Sequence, residues 1–299
     1  MTDMVFRIGI VGGAAPAVIA DFMGKIVRHA AARRDGTRLG MLVEQSPRIA
    51  DRTENLIGAG PDLTIALHAA CNNLEAAGAD LIAIPCNTPR AFVQRVQSHL
   101  RVQIANMLDI TARHVADAFP SQRRVGLLAT SGTLASGVYE RTLERHGKAP
   151  VLPAAAAQSR LMDSIYGASG VKAGFVAGSC QDNVCAALDD LLSQGVDLVI
   201  IGCPELALLL SPTLTAGGER VVPLIDPATV LAQHCVACAV AQRARAPRDA
   251  ASHQAGAPQR EGAQSQQAMR RSEACSTIPP VATAEAVPRA STSNRRALS

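Results

Sequence analysis

Short, wholly apolar runs alternate with longer stretches of helical spacing through the first 243 or so residues. Val5–Val11 is an apolar run closed by Gly12-Gly13, the mark of a buried strand and a tight turn. Pro16 suits the first turn of a helix reaching about Arg33. Leu39–Glu44 reads as a strand, and Asp62 to Ala77 as a helix stopped at Gly78. Leu81–Pro85 is a strand, Pro89–Leu100 a helix, Val102–Met107 a strand and Ile110–Phe119 a helix. The order then repeats. Strands are expected at Arg124–Ala129, Val151–Leu152, Leu198–Ile201 and Val221–Leu224. Helices are expected near Leu134–His146, Lys172–Gln194 and Glu205–Leu210, with a last one from Pro227 to about Arg243.

The repetition extends to residues. Gly78-Ala79-Asp80-Leu81-Ile82-Ala83-Ile84-Pro85-Cys86 is echoed by Gly195-Val196-Asp197-Leu198-Val199-Ile200-Ile201-Gly202-Cys203, a shift of 117. The same shift maps Gly9 onto Gly126, Leu74 onto Leu191 and Asp109 onto Asp226. So long a register implies duplication of a whole α/β unit. Strands alternating with helices argue parallel sheets with crossover helices, and strands without polar alternation argue that both sheet faces are covered. The expected fold is α/β, with two pseudo-symmetric doubly wound parallel-sheet domains and an active-site cleft between them. Residues 1–110 form the first half and 111–219 the second. The strand and helix of 220–247 close back on the first half. Residues 248–299, rich in Ala, Ser, Gln, Arg and Pro without apolar period, read as a disordered tail.

Composition narrows the function. The chain is 48% hydrophobic but 2% aromatic, so its core must be aliphatic. Its net charge of +4 comes mostly from the tail, which carries seven Arg against four acids. No basic stripe marks the folded part, so no nucleic-acid partner is expected. No run approaches a membrane span, and Met1-Thr2-Asp3 lacks the basic start of a signal peptide, so a cytoplasmic protein is expected. The eight cysteines then read as thiols rather than a disulfide frame.

Two of those thiols stand out. Cys86 leaves a strand, Thr88 is a good N-cap and Pro89 fits a first helical position. The thiol would sit at a helix N-terminus, where amide N–H groups and the helix dipole favour a thiolate. Cys203-Pro204-Glu205 repeats the arrangement, and Glu205 would tune the thiol, contact an ammonium group or simply favour a helix first turn. A single cysteine at a strand end is an ordinary core residue. Two at duplicated positions, each followed by helix-start signals, point to chemistry.

Five segments carry a resemblance to the aspartate/glutamate racemase superfamily, in its aspartate racemase-like branch. They are Ile10-Val11-Gly12-Gly13-Ala14-Ala15-Pro16, Ser46-Pro47-Arg48-Ile49-Ala50-Asp51-Arg52-Thr53, Pro85-Cys86-Asn87-Thr88, Val171-Lys172-Ala173-Gly174 and Gly202-Cys203-Pro204-Glu205-Leu206. The resemblance spans about Phe6 to Gln242. It implies racemisation of an amino acid, aspartate first and glutamate second, by two cysteines without pyridoxal phosphate or any other cofactor. One thiolate would remove the weakly acidic Cα proton and the opposite thiol would reprotonate the other face. It further implies that Arg52 and Lys172 meet the substrate carboxylates, with Asn87, Thr88, Thr130 and Thr133 as hydrogen-bond donors and Gly12 and Gly13 in the binding loop. Similar enzymes are often homodimers.

Departures keep other readings open. Pro204 stands where the family usually has Thr, and it removes a hydroxyl and a backbone N–H. Pro89-Arg90 replaces a usual Ala-His, Ala15 a usual Gly and Ser46 a usual Asn. A hydantoin racemase, another isomerase or decarboxylase of the same fold, and a non-catalytic small-molecule-binding relative are the alternatives. Cys235-x-x-Cys238 beside His234 lacks the second pair that a structural zinc site needs, and reads as packed thiols. His68, His99 and His114 are expected to face solvent from their helices.

Overall fold

The computed structural model describes residues 5–13, 15–31, 39–46, 49, 64–86, 90–210 and 222–252. The first half contains β1 (Phe6–Gly12), α1 (Pro16–Ala31), β2 (Leu39–Gln45), α2 (Thr64–Ala76), β3 (Leu81–Ala83), α3 (Arg90–Gln97), β4 (Ile104–Ala105) and α4 (Met107–Ala118). The second contains β5 (Arg124–Leu128), α5 (Ser131–Ala135), α6 (Val138–Glu144), β6 (Ala149–Val151) and α7 (Ala155–Tyr166). It continues with a 3₁₀ turn at Val171–Ala173, α8 (Ser179–Ser193), β7 (Leu198–Ile201), a 3₁₀ turn at Leu206–Leu208, β8 (Leu224–Ile225) and α9 (Pro227–Ser252).

The strands form two four-stranded sheets, ordered β2-β1-β3-β4 and β6-β5-β7-β8. Every pairing is parallel, with Ile8 beside Leu81 in one sheet and Val125 beside Leu198 in the other. The fold is therefore α/β with two parallel-sheet domains, as the sequence pattern implies. Although the strands are mainly apolar, their side chains divide by face. Ile8, Ile10, Leu81, Val125, Leu127, Leu198 and Ile200 share one core with α1, α4, α6 and α9. Val11, Ile82 and Ile84 pack outward under α2 and α3. Leu128, Val199 and Ile201 do so under α7 and α8. Each such side chain removed from water contributes roughly 1.5–3 kcal/mol.

Polar details are duplicated too. Asp80 accepts from Arg7 N at 2.9 Å, and Asp197 accepts from Arg124 N at 2.8 Å. Arg7 Nη1 donates to Ala77 O and Arg124 Nη2 to Gln194 O. Gly9 and Gly126 are matched by crowding, since a Cβ at either would stand 3.1 Å from its nearest neighbour.

The structure corrects several expectations. Leu134–His146 is not one helix, because Gly137 takes φ +61° and separates α5 from α6. Lys172–Gln194 breaks at Gly174 (φ +95°) and Gly178 (φ +78°), so α8 starts at Ser179. Helix α7 was not anticipated, because its Ala155-Ala156-Ala157 opening has no apolar period, and it buries only Leu161, Ser164 and Ile165. Met107 opens α4 instead of ending a strand, because Asn106 caps the helix. Glu205–Leu210 yields only the short 3₁₀ turn.

The segment 220–247 divides between the halves. β8 pairs with β7 and so belongs to the second sheet, while α9 packs on α1 and α4 of the first half. The Asp109–Asp226 match also fails. Asn106 and Asp226 are the equivalent caps, 120 residues apart, because the second copy has three more residues between its cysteine and its cap. α9 runs to Ser252, past the tail boundary at 248, since Ala- and Arg-rich sequence sustains helix across the change in composition. His114 is buried, with Phe119 edge-on at 6.1 Å, because it lies on the face of α4 turned to the core. Among the described residues no helix is long and apolar enough to cross a membrane.

Candidate active site

In sheets of order 2-1-3-4, the chain leaves β1 towards one side and β3 towards the other. A crevice opens where those directions part, beyond the strands' carboxyl ends. Gly12-Gly13 and Cys86 occupy that place in the first half, and Thr130 and Cys203 in the second.

Gly12 and Gly13 are there for closeness. A Cβ on Gly12 would meet Gln45 Oε1 at 2.0 Å, and one on Gly13 would meet Ile49 O at 2.6 Å. Gln45 donates to Gly13 O, and Ser46 N to Gly12 O at 3.1 Å, so this turn is tied to the end of β2. Cys86 follows the buried Ile84-Pro85 step and is itself half-buried, its N–H bonded to Ile84 O at 2.7 Å.

Cys203 is more enclosed, at 6% exposure. Its Sγ donates to Glu205 Oε2 at 2.9 Å. Burial above all pushes this thiol well above the usual range, and the Glu205 carboxylate and a charge on Cys86 push the same way. Cys86 is therefore near enough for its charge to be felt at Cys203. Gly202 lets the strand end approach its neighbours, for a Cβ there would stand 3.0 Å from Ala129 Cβ and 3.3 Å from Tyr139 Cε2.

The other expected site residues differ in placement. Thr130 is 4% exposed and caps α5, its Oγ1 accepting from Thr133 N at 3.3 Å and sharing a hydrogen with Thr133 Oγ1 at 3.0 Å. Lys172 stands on the exposed 3₁₀ turn, Nζ 4.5 Å above the Tyr166 ring, while the preceding Val171 packs on the cluster that holds Cys203. Arg52, Asn87 and Thr88 lie outside the described residues.

Two further residues belong to the surroundings of the thiols. Tyr139 of α6 is 1% exposed, and its hydroxyl is held protonated far above its ordinary range by burial, then by charges on Cys86, Cys203 and Asp226. Its ring borders Gly202, the residue before Cys203. Lys25 of α1 is buried and paired with Asp21 and, at 2.9 Å, with Asp226. The repeat held a usable signal: the 117-residue shift sets Tyr139 against Phe22 and Lys25 against Thr142, polar against less polar each time. Elsewhere, Cys238 Sγ lies 3.5 Å from His234 Nε2, with Cys235 and Cys238 both buried in the main core. Among the described residues no group of three or more His, Cys, Asp or Glu is arranged to hold a metal.

The chain is similar to known proteins in sequence and in fold. The chain is 23% identical over 242 residues to the broad specificity amino-acid racemase RacX of Bacillus subtilis, an alignment covering 77% of this chain and 96% of that one. It is 28% identical over 155 residues to a glutamate racemase of Corynebacterium kroppenstedtii, covering 51% of each. Picrophilus torridus aspartate racemase shares the fold with a TM-score of 0.63 at 24% identity, covering 79% of this chain and 94% of that one. An aspartate racemase homologue from Pyrococcus horikoshii also has a TM-score of 0.63 at 24% identity, covering 78% and 99%. The model of the Asp/Glu/Hydantoin racemase family matches residues 11–235, most of the chain, and the protein belongs to that family.

Proposed function

We propose that the protein is a cofactor-independent racemase of an acidic amino acid, with Cys86 and Cys203 as the two acid–base groups. The observation that carries this reading is the pair of thiols at duplicated strand ends, close enough that a charge on one raises the other. Racemisation needs a base on one face of Cα and an acid on the other. The Cys203 S–H is bonded to Glu205 and held protonated, so Cys203 is the resting acid. Cys86 then acts first as base. The Cα proton passes to Cys86 Sγ, the planar carbanion takes the proton of Cys203, and Cys203 is left as thiolate. The reverse reaction exchanges the roles. Glu205 is assigned to the substrate ammonium group as well. Arg52 and Lys172 are assigned to the carboxylates, with Asn87, Thr88 and the Gly12-Gly13 turn supplying hydrogen bonds that stabilise the carbanion. Aspartate is the first substrate proposed and glutamate the second, and the name of the B. subtilis relative argues for testing other amino acids beside them. The reading includes a cytoplasmic homodimer.

The test is proton NMR in D₂O, without pyridoxal phosphate, on L-aspartate and L-glutamate. Loss of one Cα–H signal, with the opposite enantiomer appearing, supports the racemase. Persistence of both signals overturns it. Pro204 favours a second reading. It is buried beside Cys203 and offers neither hydroxyl nor N–H to a substrate carboxylate. A hydantoin lacks that carboxylate, so exchange of 5-substituted hydantoins but not amino acids would select the hydantoin racemase.

A further inference from the structure

The duplication is broken at a buried pair of charges. Lys25 of α1, 7% exposed, stands on the first sheet, while Asp226 follows β8 of the second. Lys25 Nζ lies 2.9 Å from Asp226 Oδ2 and joins the two halves. Asp226 also caps α9, with Oδ1 accepting from Ala228 N at 3.0 Å and Oδ2 from Thr229 N at 3.2 Å and Thr229 Oγ1 at 2.6 Å.

The equivalent cap in the first half is neutral. Asn106 accepts from Leu108 N at 3.1 Å and Asp109 N at 3.3 Å in the same way. Asn and Asp cap helices about equally well, so capping alone does not call for a charge at position 226. The equivalent of Lys25 is neutral as well: Thr142 donates to its own helix at Val138 O, 2.7 Å away. Both charges therefore occur on one side of the pseudo-symmetry, and they occur together. Asp226 lies close enough to Tyr139 to act on its hydroxyl, and so do Cys86 and Cys203. Ile225 pairs with Ile200, so Asp226 leaves β8 at the same carboxyl end of the sheet at which β7 runs on to Cys203.

We propose that Lys25 is a positioning residue of the cysteine cleft: through Asp226 it fixes one half against the other and cancels the charge of a carboxylate at the sheet end that carries Cys203. An unpaired buried carboxylate there would oppose formation of a nearby thiolate by like-charge repulsion in a medium of low dielectric. The other ionisable groups around the pair are few. Asp21 pairs with Lys25 from the same helix, and Arg28, largely exposed, reaches Asp21 at 3.9 Å. Tyr139 faces the site from α6, and Glu205 from beside Cys203. On α9, His234 is pushed down to about 4 by burial and by Arg113 of α4, so it is neutral near pH 7. His114 of α4 is likewise lowered by burial.

The inference rests on Cys86 and Cys203 being the reacting pair, but its test reads the thiols directly. Iodoacetamide labelling of Cys86 and Cys203 is followed by peptide mass spectrometry across pH 6–10 in wild type, Lys25→Met, Lys25→Arg, Asp226→Asn and Lys25→Met/Asp226→Asn. In Lys25→Met the labelling midpoint of at least one cysteine moves up by about half a pH unit, a roughly threefold loss of rate at fixed pH. Lys25→Arg restores it. Asp226→Asn moves it down, and the double variant, with a neutral cap like Asn106, returns it near wild type. Opposite shifts from the two single variants cannot come from loosened packing alone. Midpoints that stay put, or move the same way in both, overturn the proposal. Should Lys25→Met fail to fold, Asp226→Asn decides by itself: a downward shift supports and no shift overturns. A wild-type protein inert towards amino acids and hydantoins would overturn the proposed function and leave the labelling comparison as informative as before.

Discussion

At Cys203 a neighbour two residues along the chain decides where the proton rests. The 2.9 Å bond from Sγ to Glu205 Oε2 and the negative charge of that carboxylate both stabilise the thiol. Glu205→Gln keeps an acceptor and removes the charge, so the sign is fixed: the thiolate becomes less unfavourable and Cys203 titrates lower. Labelling of Cys203 at pH 8 is expected to rise about tenfold, the equivalent of one pKa unit. Burial, the larger cause, is untouched, so Cys203 should remain slower to label than an exposed thiol. Unchanged labelling would mean that Glu205 does not govern the proton. Gly202 makes a second residue-scale prediction. The Cβ of Gly202→Ala would press on Ala129 Cβ and on the Tyr139 ring, both in packed surroundings. Overpacking of this kind costs about 1–3 kcal/mol. Chemical denaturation should report that loss, and racemisation should fall with it, because the displaced groups adjoin the thiol.

At the scale of elements, α9 carries a pH-dependent component of stability. His234 is pushed down to about 4, first by burial and then by the Arg113 charge. A histidine whose folded pKa lies below its unfolded value, near 6.5, binds protons more readily when unfolded. Its contribution is complete above about pH 6.5 and is lost as pH falls towards 4, up to on the order of 3 kcal/mol. Thermal melts between pH 7 and 4.5 should show wild type losing stability faster than His234→Gln, and parallel curves would refute the assignment. The same helix shows what the sequence could reveal. Its start at Pro227 was legible from the proline and the apolar spacing. Its packing on the first half agrees with the expectation for 220–247, whereas the pairing of β8 with the second sheet is a tertiary choice with no local signal. Strands β1, β3, β5 and β7 were legible because buried parallel strands are apolar on both faces. Helix α7 was not, because an alanine run carries no period, and the α5–α6 break hung on a single glycine whose φ is set by its surroundings. In the site, the repeat exposed the cysteines. Tyr139 and Lys25 stayed hidden because an aromatic or a cation within a helix reads as ordinary until the fold shows what it faces.

Across the whole molecule, two like halves bring two unlike thiols to one region. The enclosures differ: Cys203 is buried and bonded to Glu205, while Cys86 is half-buried. The scaffold around them is uneven too: Lys25, Asp226 and Tyr139 are matched in the other copy by Thr142, Asn106 and Phe22. A two-base reaction in such a cleft has a definite signature in single variants. With Cys203→Ala, Cys86 can still take the proton from the enantiomer whose Cα–H faces it and return deuterium from solvent to the same face. With Cys86→Ala, Cys203 can do so for the opposite enantiomer, and more slowly at neutral pH because its thiol is held protonated. Each variant should therefore exchange the Cα proton of one enantiomer in D₂O, the two should choose opposite enantiomers, and neither should racemise, with turnover down by 10³-fold or more in order of magnitude. NMR of L- and D-substrate with each variant, combined with chiral chromatography, measures all three features. Exchange of the same enantiomer by both variants would place the cysteines on one side of the substrate. Racemisation by either would require a base other than these two thiols.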